Sequence, residues 1–294
     1  MEDTMKHFNQ DMKQHFCITD KIGQESEWLN FLQYKIDYGH ISKHDKALLE
    51  SYINNGTYVK MQKLIREGRF PEEFSVKKIV NKEGTDKKRI VYSFGEDVSI
   101  TLKFIAFHLH RYDSVFKENC YSFRKNYGVR DALRKIYARR QRISKMYCLK
   151  SDIHNYFNSI DTELLLQKLQ FIKETDQKLY QIFENILSEK RVWEKGVLVE
   201  DLHHGAMAGI PVSPFFANIY LAETDGRFEY YRYSDDLIVF GESMDALLSV
   251  QREIYAELER IKLCMNHEKE KITLPGEEWE FLGFSYDLTL TRRR

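Results

Sequence analysis

The chain's 294 residues suffice for a packed core and point to two domains, or one with subdomains. Lysine and arginine together number 45, as do aspartate and glutamate, so the net charge is zero and an anionic partner must be sought in the distribution of charge. Four scattered cysteines (Cys17, Cys120, Cys148, Cys264) argue against a zinc site or disulfide framework, and the lack of a long apolar run or a leader after Met1 argues against a membrane or secreted chain; the expected location is cytoplasmic.

Residues 1–75 read as mostly helical, with apolar positions Trp28, Leu29, Phe31, Leu32 and Ile36, then Leu48, Leu49, Tyr52 and Ile53. No chemistry is visible there, and packing on the rest of the chain is the expected use. Phe74–Ile79 and Arg89–Phe94 alternate like the arms of a hairpin joined by a polar turn, with Lys77, Lys78, Lys82, Lys87, Lys88 and Arg89 crowding it. Ser99–Tyr112 is apolar at helical spacing and reads as core. From Arg124 to Lys150 ten basic residues face the single acid Asp131, a footprint for phosphate that the net charge conceals.

Leu149–Phe157 is an alternating strand carrying Asp152, with Phe157 five residues on and a helix start at Asp161-Thr162-Glu163. Val192–Val199 is too polar to assign. His203-His204 reads as surface loop, contact with phosphate or metal being the alternative. Ser213-Pro214 supplies the N-cap and first residue of a helix through Ala217, Ile219, Tyr220 and Leu221. Tyr233-Ser234-Asp235-Asp236 then stands between the apolar runs Phe228–Tyr233 and Leu237–Phe240, a tight turn with two carboxylates at its tip. Ser243 caps a further amphipathic helix. One acid on a strand beside two on a hairpin would make an oxygen-rich cluster of about −3 charge, repulsive unless neutralised and suited to magnesium. The order strand, helix, helix, hairpin, helix, strand is that of a ferredoxin-like split βαβ unit, an α+β fold.

Taken together and in this order, Leu149–Phe157, Gly209–Leu221, Tyr233–Asp236, Met265–Ile272 and Phe281–Phe284 resemble the palm of a reverse transcriptase. The resemblance spans roughly 75–285 and is of the bacterial kind: group II intron, retron, diversity-generating and phage-defence-associated enzymes. It implies a right-hand polymerase with a helical N-terminal extension over 1–75, fingers over 76–150, a βαββαβ palm over 151–286 and a basic tail over 287–294. The thumb is expected to be reduced or absent, and a homo-oligomer or partner protein is expected to supply its contacts. The implied activity is RNA-directed DNA polymerase, extending a DNA or RNA primer with deoxynucleoside triphosphates on an RNA template, in a setting that leans toward antiphage defence.

What the resemblance implies for single residues is specific. Asp152, Asp235 and Asp236, with the Ile153 carbonyl, would hold two magnesium ions, manganese being a substitute. Lys87 and Arg89 would grip the triphosphate, Phe157 would exclude a 2′-hydroxyl unless it is a core aromatic, and Gly209 would let backbone approach the nucleotide or template base. Arg124 would lie near the template or anchor the palm through an ion pair. Lys269 or Lys271 would donate a proton to pyrophosphate. Ala208 departs from the family, which often has glutamine there. Template-independent DNA synthesis by the same site and a catalytically silent RNA- or protein-binding scaffold are the rival expectations.

Overall fold

The computed structural model describes residues 17–39, 41–81 and 88–286, and its strands in chain order are β1 (Ser75–Asn81), β2 (Lys88–Ser93), β3 (Tyr147–Asp152), β4 (Arg191–Glu194), β5 (Val197–Glu200), β6 (Tyr231–Tyr233), β7 (Asp236–Gly241), β8 (Lys271–Thr273), β9 (Trp279–Phe281) and β10 (Phe284–Tyr286). Two compact units emerge, neither of them continuous in sequence. One takes the residues up to His110 together with Thr162–Ser213; the other takes Arg111–Asp161 together with the residues from Pro214 onward. This partition runs across the contiguous segments 1–75, 76–150 and 151–286.

In the first unit the N-terminal helices are integral to the core. Trp28, fully buried, stacks on Phe104 of helix Glu96–His108 at 4.0 Å, lies 4.8 Å from Tyr52, and donates its indole N–H to the Ile22 carbonyl at 2.7 Å. The Tyr52 hydroxyl meets Thr101 Oγ1 at 2.7 Å, so a polar atom in this aromatic cluster is satisfied. Not every apolar position of helix Glu25–Tyr38 is buried: Leu29 and Ile36 are 50% and 43% exposed, because the buried stripe runs through Trp28 and Phe31.

The fingers-like hairpin is present, with Val76↔Ser93 through Asn81↔Lys88 in register. Its turn, with Lys82 and Lys87, lies outside the described residues. Val192–Val199, unassigned from sequence, is a second hairpin, β4–β5, whose β4 pairs parallel to β1. Lys195 and Gly196 both take positive φ (52° and 82°), as a two-residue hairpin turn requires. Its polarity reflects a solvated position: Trp193 is 40% and Val197 61% exposed.

The second unit contains the antiparallel sheet β6-β7-β3-β8. With helix Ser213–Asp225 before β6 and helix Met244–Arg260 between β7 and β8, this is the expected ferredoxin-like order. Period-2 alternation puts Cys148, Lys150 and Asp152 of β3 on one face with Phe240, Ile238 and Asp236 of β7. At the end away from the acids, Ile136, Ile143, Trp279 and Phe281 join Cys148 and Ile238 in a buried apolar cluster. If the N-terminal helices carry the first unit's stability, Trp28→Ala should lower the unfolding free energy by about 3–5 kcal/mol, and Leu29→Ala by only about 0.5 kcal/mol; denaturant titration of both variants checks the contrast.

Candidate active site

Tyr233 and Asp236 are register partners, so Ser234 and Asp235 form the two-residue turn between β6 and β7. Ser234 takes φ 58°, a left-handed conformation that costs a non-glycine residue roughly 1 kcal/mol or more. Two bonds hold it. Asp235 O accepts the Ile153 N–H at 3.0 Å, and Ser234 O accepts Arg232 Nη1 at 3.1 Å.

Arg232 has no exposed surface. Its Nε and Nη2 donate to Asp225 Oδ1 at 2.7 Å and Oδ2 at 2.5 Å, while Tyr230 Oη donates to the same Oδ1 at 2.7 Å. Cys120 Sγ lies 3.0 Å from Nη2. Asn218 Nδ2 donates to Ser122 O at 2.7 Å and its Oδ1 accepts from Ser122 Oγ at 3.1 Å, closing a fully buried network beneath the turn. None of Arg232, Asp225 or Asn218 was singled out for such a role by sequence reasoning; an arginine inside the apolar run before the acids was the available signal.

Asp152 is register partner to Asp236 and is only 7% exposed. Its Oδ1 accepts Lys269 Nζ at 2.7 Å and Asn266 Nδ2 at 3.3 Å. Burial pushes the Asp235 carboxyl pKa up, and the neighbouring Asp152 charge adds to it, against hydrogen bonds from its own backbone N–H and the Ser234 hydroxyl. Asp236 is pushed up to about 6, again by burial first and then by Asp235 and Asp152, with Lys150 and Lys269 opposing. The three acids therefore interact, with less positive charge nearby than they carry. Among the described residues no three acidic, histidine or cysteine side chains are already closed around one metal-sized point.

Ile153 is buried next to Asp152. Tyr156 is buried and donates its hydroxyl to Ala217 O, which leaves Phe157 half-buried, edge-on to Tyr156 at 5.7 Å and to Phe123 at 6.3 Å. Phe123, with φ 54° and 43% exposure, also lies 6.2 Å from Tyr233. An aromatic row thus runs from Phe157 through Phe123 to Tyr233, the residue preceding the acidic turn.

Arg124 makes an anchor of another kind than an ion pair: its guanidinium donates to the carbonyls of Lys117, Cys120 and Asp113 at 2.7, 3.0 and 3.1 Å and stacks 3.9 Å from the Tyr127 ring. Farther along, Ala132, Ile136 and Ile143 are buried while Arg130, Arg134, Arg139, Arg140 and Lys145 are exposed, so the basic run forms a solvent face. Lys271 is exposed on β8, opposite Lys150.

In the first unit, Arg89 is exposed on β2 and Lys87 lies outside the described residues. Gly209 has φ 106°, and a Cβ there would come within 2.8 Å of Tyr92 O; Ala208 O accepts the Tyr92 N–H at 2.7 Å. Within this unit the glycine permits close approach of its backbone to β2. His203 is exposed, but His204 corrects the surface-loop expectation: it is fully buried, Nδ1 lies 2.9 Å from Gly205 O, and burial lowers its pKa. Lys77, one of the hairpin lysines, is paired to Asp201 at 2.9 Å.

Arg232→Met leaves the Asp225 carboxylate buried and unpaired and should cost about 3–5 kcal/mol, with Asp225→Asn added to it restoring part of the loss in thermal denaturation. Asp236 binds a proton more tightly folded than unfolded, so its charged form lowers stability above about pH 6, and this cost fades as pH falls through that value toward the usual carboxylate range. In EDTA, Asp236→Asn should therefore melt above the wild type at about pH 8 and converge with it near pH 4; a difference independent of pH would refute the assignment.

The family described as reverse transcriptase (RNA-dependent DNA polymerase) matches residues 80–286. Retron Ec83 reverse transcriptase of Escherichia coli is 30% identical over 145 residues, covering 43% of this chain and 43% of that protein. Among solved structures, telomerase from Candida Tropicalis with a TWJ fragment of telomeric RNA superposes with a TM-score of 0.52 at 15% identity, over 73% of this chain and 43% of that one. Apo telomerase from the same organism gives 0.52 at 14% identity, over 74% and 48%. At that identity the likeness is one of fold. The chain spans less than half the length of each of these relatives.

Proposed function

The chain belongs to the reverse transcriptase family, and from that premise we propose that it is an RNA-directed DNA polymerase, extending a primer 3′-hydroxyl with deoxynucleoside triphosphates along an RNA template. The observation that carries this reading is the register of β3 against β7, which sets Asp152 opposite Asp236 and ties Ile153 N–H to the Asp235 carbonyl. Clustered carboxylates with raised pKa values are hard oxygen donors short of positive charge, and they fit a divalent ion of the magnesium type. Asp152, Asp235, Asp236 and the Ile153 carbonyl would hold two such ions, manganese serving as substitute, and when bound these supply charge neutralisation at the reacting phosphate.

The chain's own side chains take the remaining tasks. Lys269, whose ammonium rests on Asp152 Oδ1, or Lys271 would donate a proton to departing pyrophosphate. Phe157 and Phe123 belong to a ring row that reaches Tyr233, two residues before Asp235, and a ring under the sugar would leave no room for a 2′-hydroxyl. Arg89, exposed and without an acidic partner among the described residues, has its guanidinium available to a triphosphate, the role also assigned to Lys87. The exposed arginines between Arg130 and Arg142 would follow nucleic-acid phosphates.

Primer extension on poly(rA) annealed to oligo(dT), with dTTP and magnesium, tests the proposal. Wild type should extend the primer, and Asp235→Asn should lose at least about a hundredfold in rate while melting no lower than wild type. Full activity in Asp235→Asn would remove the site assignment; equal incorporation with the RNA strand omitted would remove the templated reading.

A further inference from the structure

We propose that Asn266 is a positioning residue for the acidic site: its side-chain amide holds Asp152 Oδ1 and leaves Oδ2 as the oxygen for a divalent ion. The inference rests on the metal-binding reading of the three acids and gives a task to a residue that this reading does not use.

The main chain brings the two side chains together. Past the end of β3 and ahead of β8, Ile153 and Met265 form an antiparallel bridge. His154 N–H donates to Cys264 O at 2.9 Å and Asn266 N–H to Asp152 O at 2.7 Å, one bond on each side of that bridge. The backbones of Asp152 and Asn266 are therefore fixed to each other before either side chain is placed.

From this position Asn266 Nδ2 reaches Asp152 Oδ1 at 3.3 Å, the same oxygen that accepts Lys269 Nζ at 2.7 Å. An ionised carboxylate only accepts, so the amide has to turn its NH2 group toward it. Oδ2 has no donor among the described residues. The terminal torsion of an aspartate is soft and two-fold, so pinning one oxygen is what sets the direction of the other.

Lys269 cannot do this alone. It is a cation on a side chain 44% exposed, and an arriving divalent ion repels it. Asn266 carries no charge, so it can keep its bond to Oδ1 while leaving the field of Asp152 in full, and that field already reaches both Asp235 and Asp236. Its carbonyl also accepts the Lys269 N–H at 3.0 Å, at the start of the 3-10 turn His267–Lys269. One residue thus aims the carboxylate and anchors the backbone of the lysine that shares it.

Manganese binding to the full chain, read from the electron paramagnetic resonance of the free ion with no nucleic acid or nucleotide present, tests the proposal. Wild type should bind the ion and Asp235→Asn should lose it, which checks the acid site by itself. Asn266→Ala, which removes the amide without changing the charge, should bind manganese at least about tenfold more weakly, as loss of a partner that orients a metal ligand does. Asn266→Ser, with a shorter arm, should show the same loss should the alanine variant fail to fold. Lys269→Met should move the other way and bind at least about threefold more tightly, because it takes a positive charge away from the acids. In primer extension, Asn266→Ala should lose rate at limiting magnesium and recover as magnesium is raised. Manganese affinity within twofold of wild type in the folded Asn266 variants would overturn the proposal and leave the acid site standing. Weaker binding in Lys269→Met as well would mark a general disturbance of the turn and overturn it too, and a wild type that binds no manganese would remove this proposal together with the metal reading.

Discussion

Arg232 sits with no exposed surface at the centre of the second unit, its donors shared among both Asp225 oxygens, the Ser234 carbonyl and Cys120 Sγ. A buried charge of this kind is tolerable only when every donor is engaged, and engaging them fixes several segments at once. Asp225 belongs to the end of helix Ser213–Asp225, Cys120 to the segment that bridges to β6, and Ser234 to the acidic turn. The guanidinium therefore sets where the left-handed Ser234 lies and, through it, where Asp235 is presented. Main-chain bonds add to this: Arg232 N–H goes to Asn119 O at 2.8 Å and Tyr121 N–H to Arg232 O at 2.9 Å.

Above this anchor the balance of charge reverses. Below the turn one cation meets one carboxylate with all donors used; at the turn three carboxylates meet chiefly Lys269, with Lys150 nearby. The protein thus neutralises the charge that positions the turn and leaves the charge at the tip uncompensated. Such an arrangement is unfavourable for the folded chain alone, and it is the condition under which an added cation contributes most.

The parts of this fold that were legible in sequence were those written in local pattern. Alternating apolar residues around Asp152 and Asp235-Asp236 marked the strands, and Ser213-Pro214 and Ser243 marked helix starts; the structure has Ser243 accepting the Ala246 N–H at 3.2 Å. What stayed hidden depends on long-range partners. Arg232 reads as an ordinary strand residue until Asp225 and Cys120 are brought to it. His204 reads as loop because it stands between His203 and the glycine turn, yet burial is decided by tertiary packing. The β4–β5 hairpin lacks an apolar alternation because its side chains are solvated, and only Lys195-Gly196 carries a turn signal. Two domains are expected from length, but their membership is not written locally, since residues 162–213 leave one unit and join the other without any break in composition.

Lys269 ties the electrostatics to the proposed chemistry. While its ammonium rests on Asp152 Oδ1 it satisfies the carboxylate nearest the β3 end with one of its three N–H donors. For Lys269 to give up a proton, Asp152 must first be satisfied by another cation, because the acid is almost wholly buried and an unpaired charge there is costly. Release of the lysine and neutralisation of the acid are then one event seen from two sides. A side chain 44% exposed at the end of a short 3-10 turn, His267–Lys269, has the freedom to make that exchange, whereas Arg232, enclosed on every side, has none. The difference in burial between the two cations separates the one that positions the turn from the one able to move.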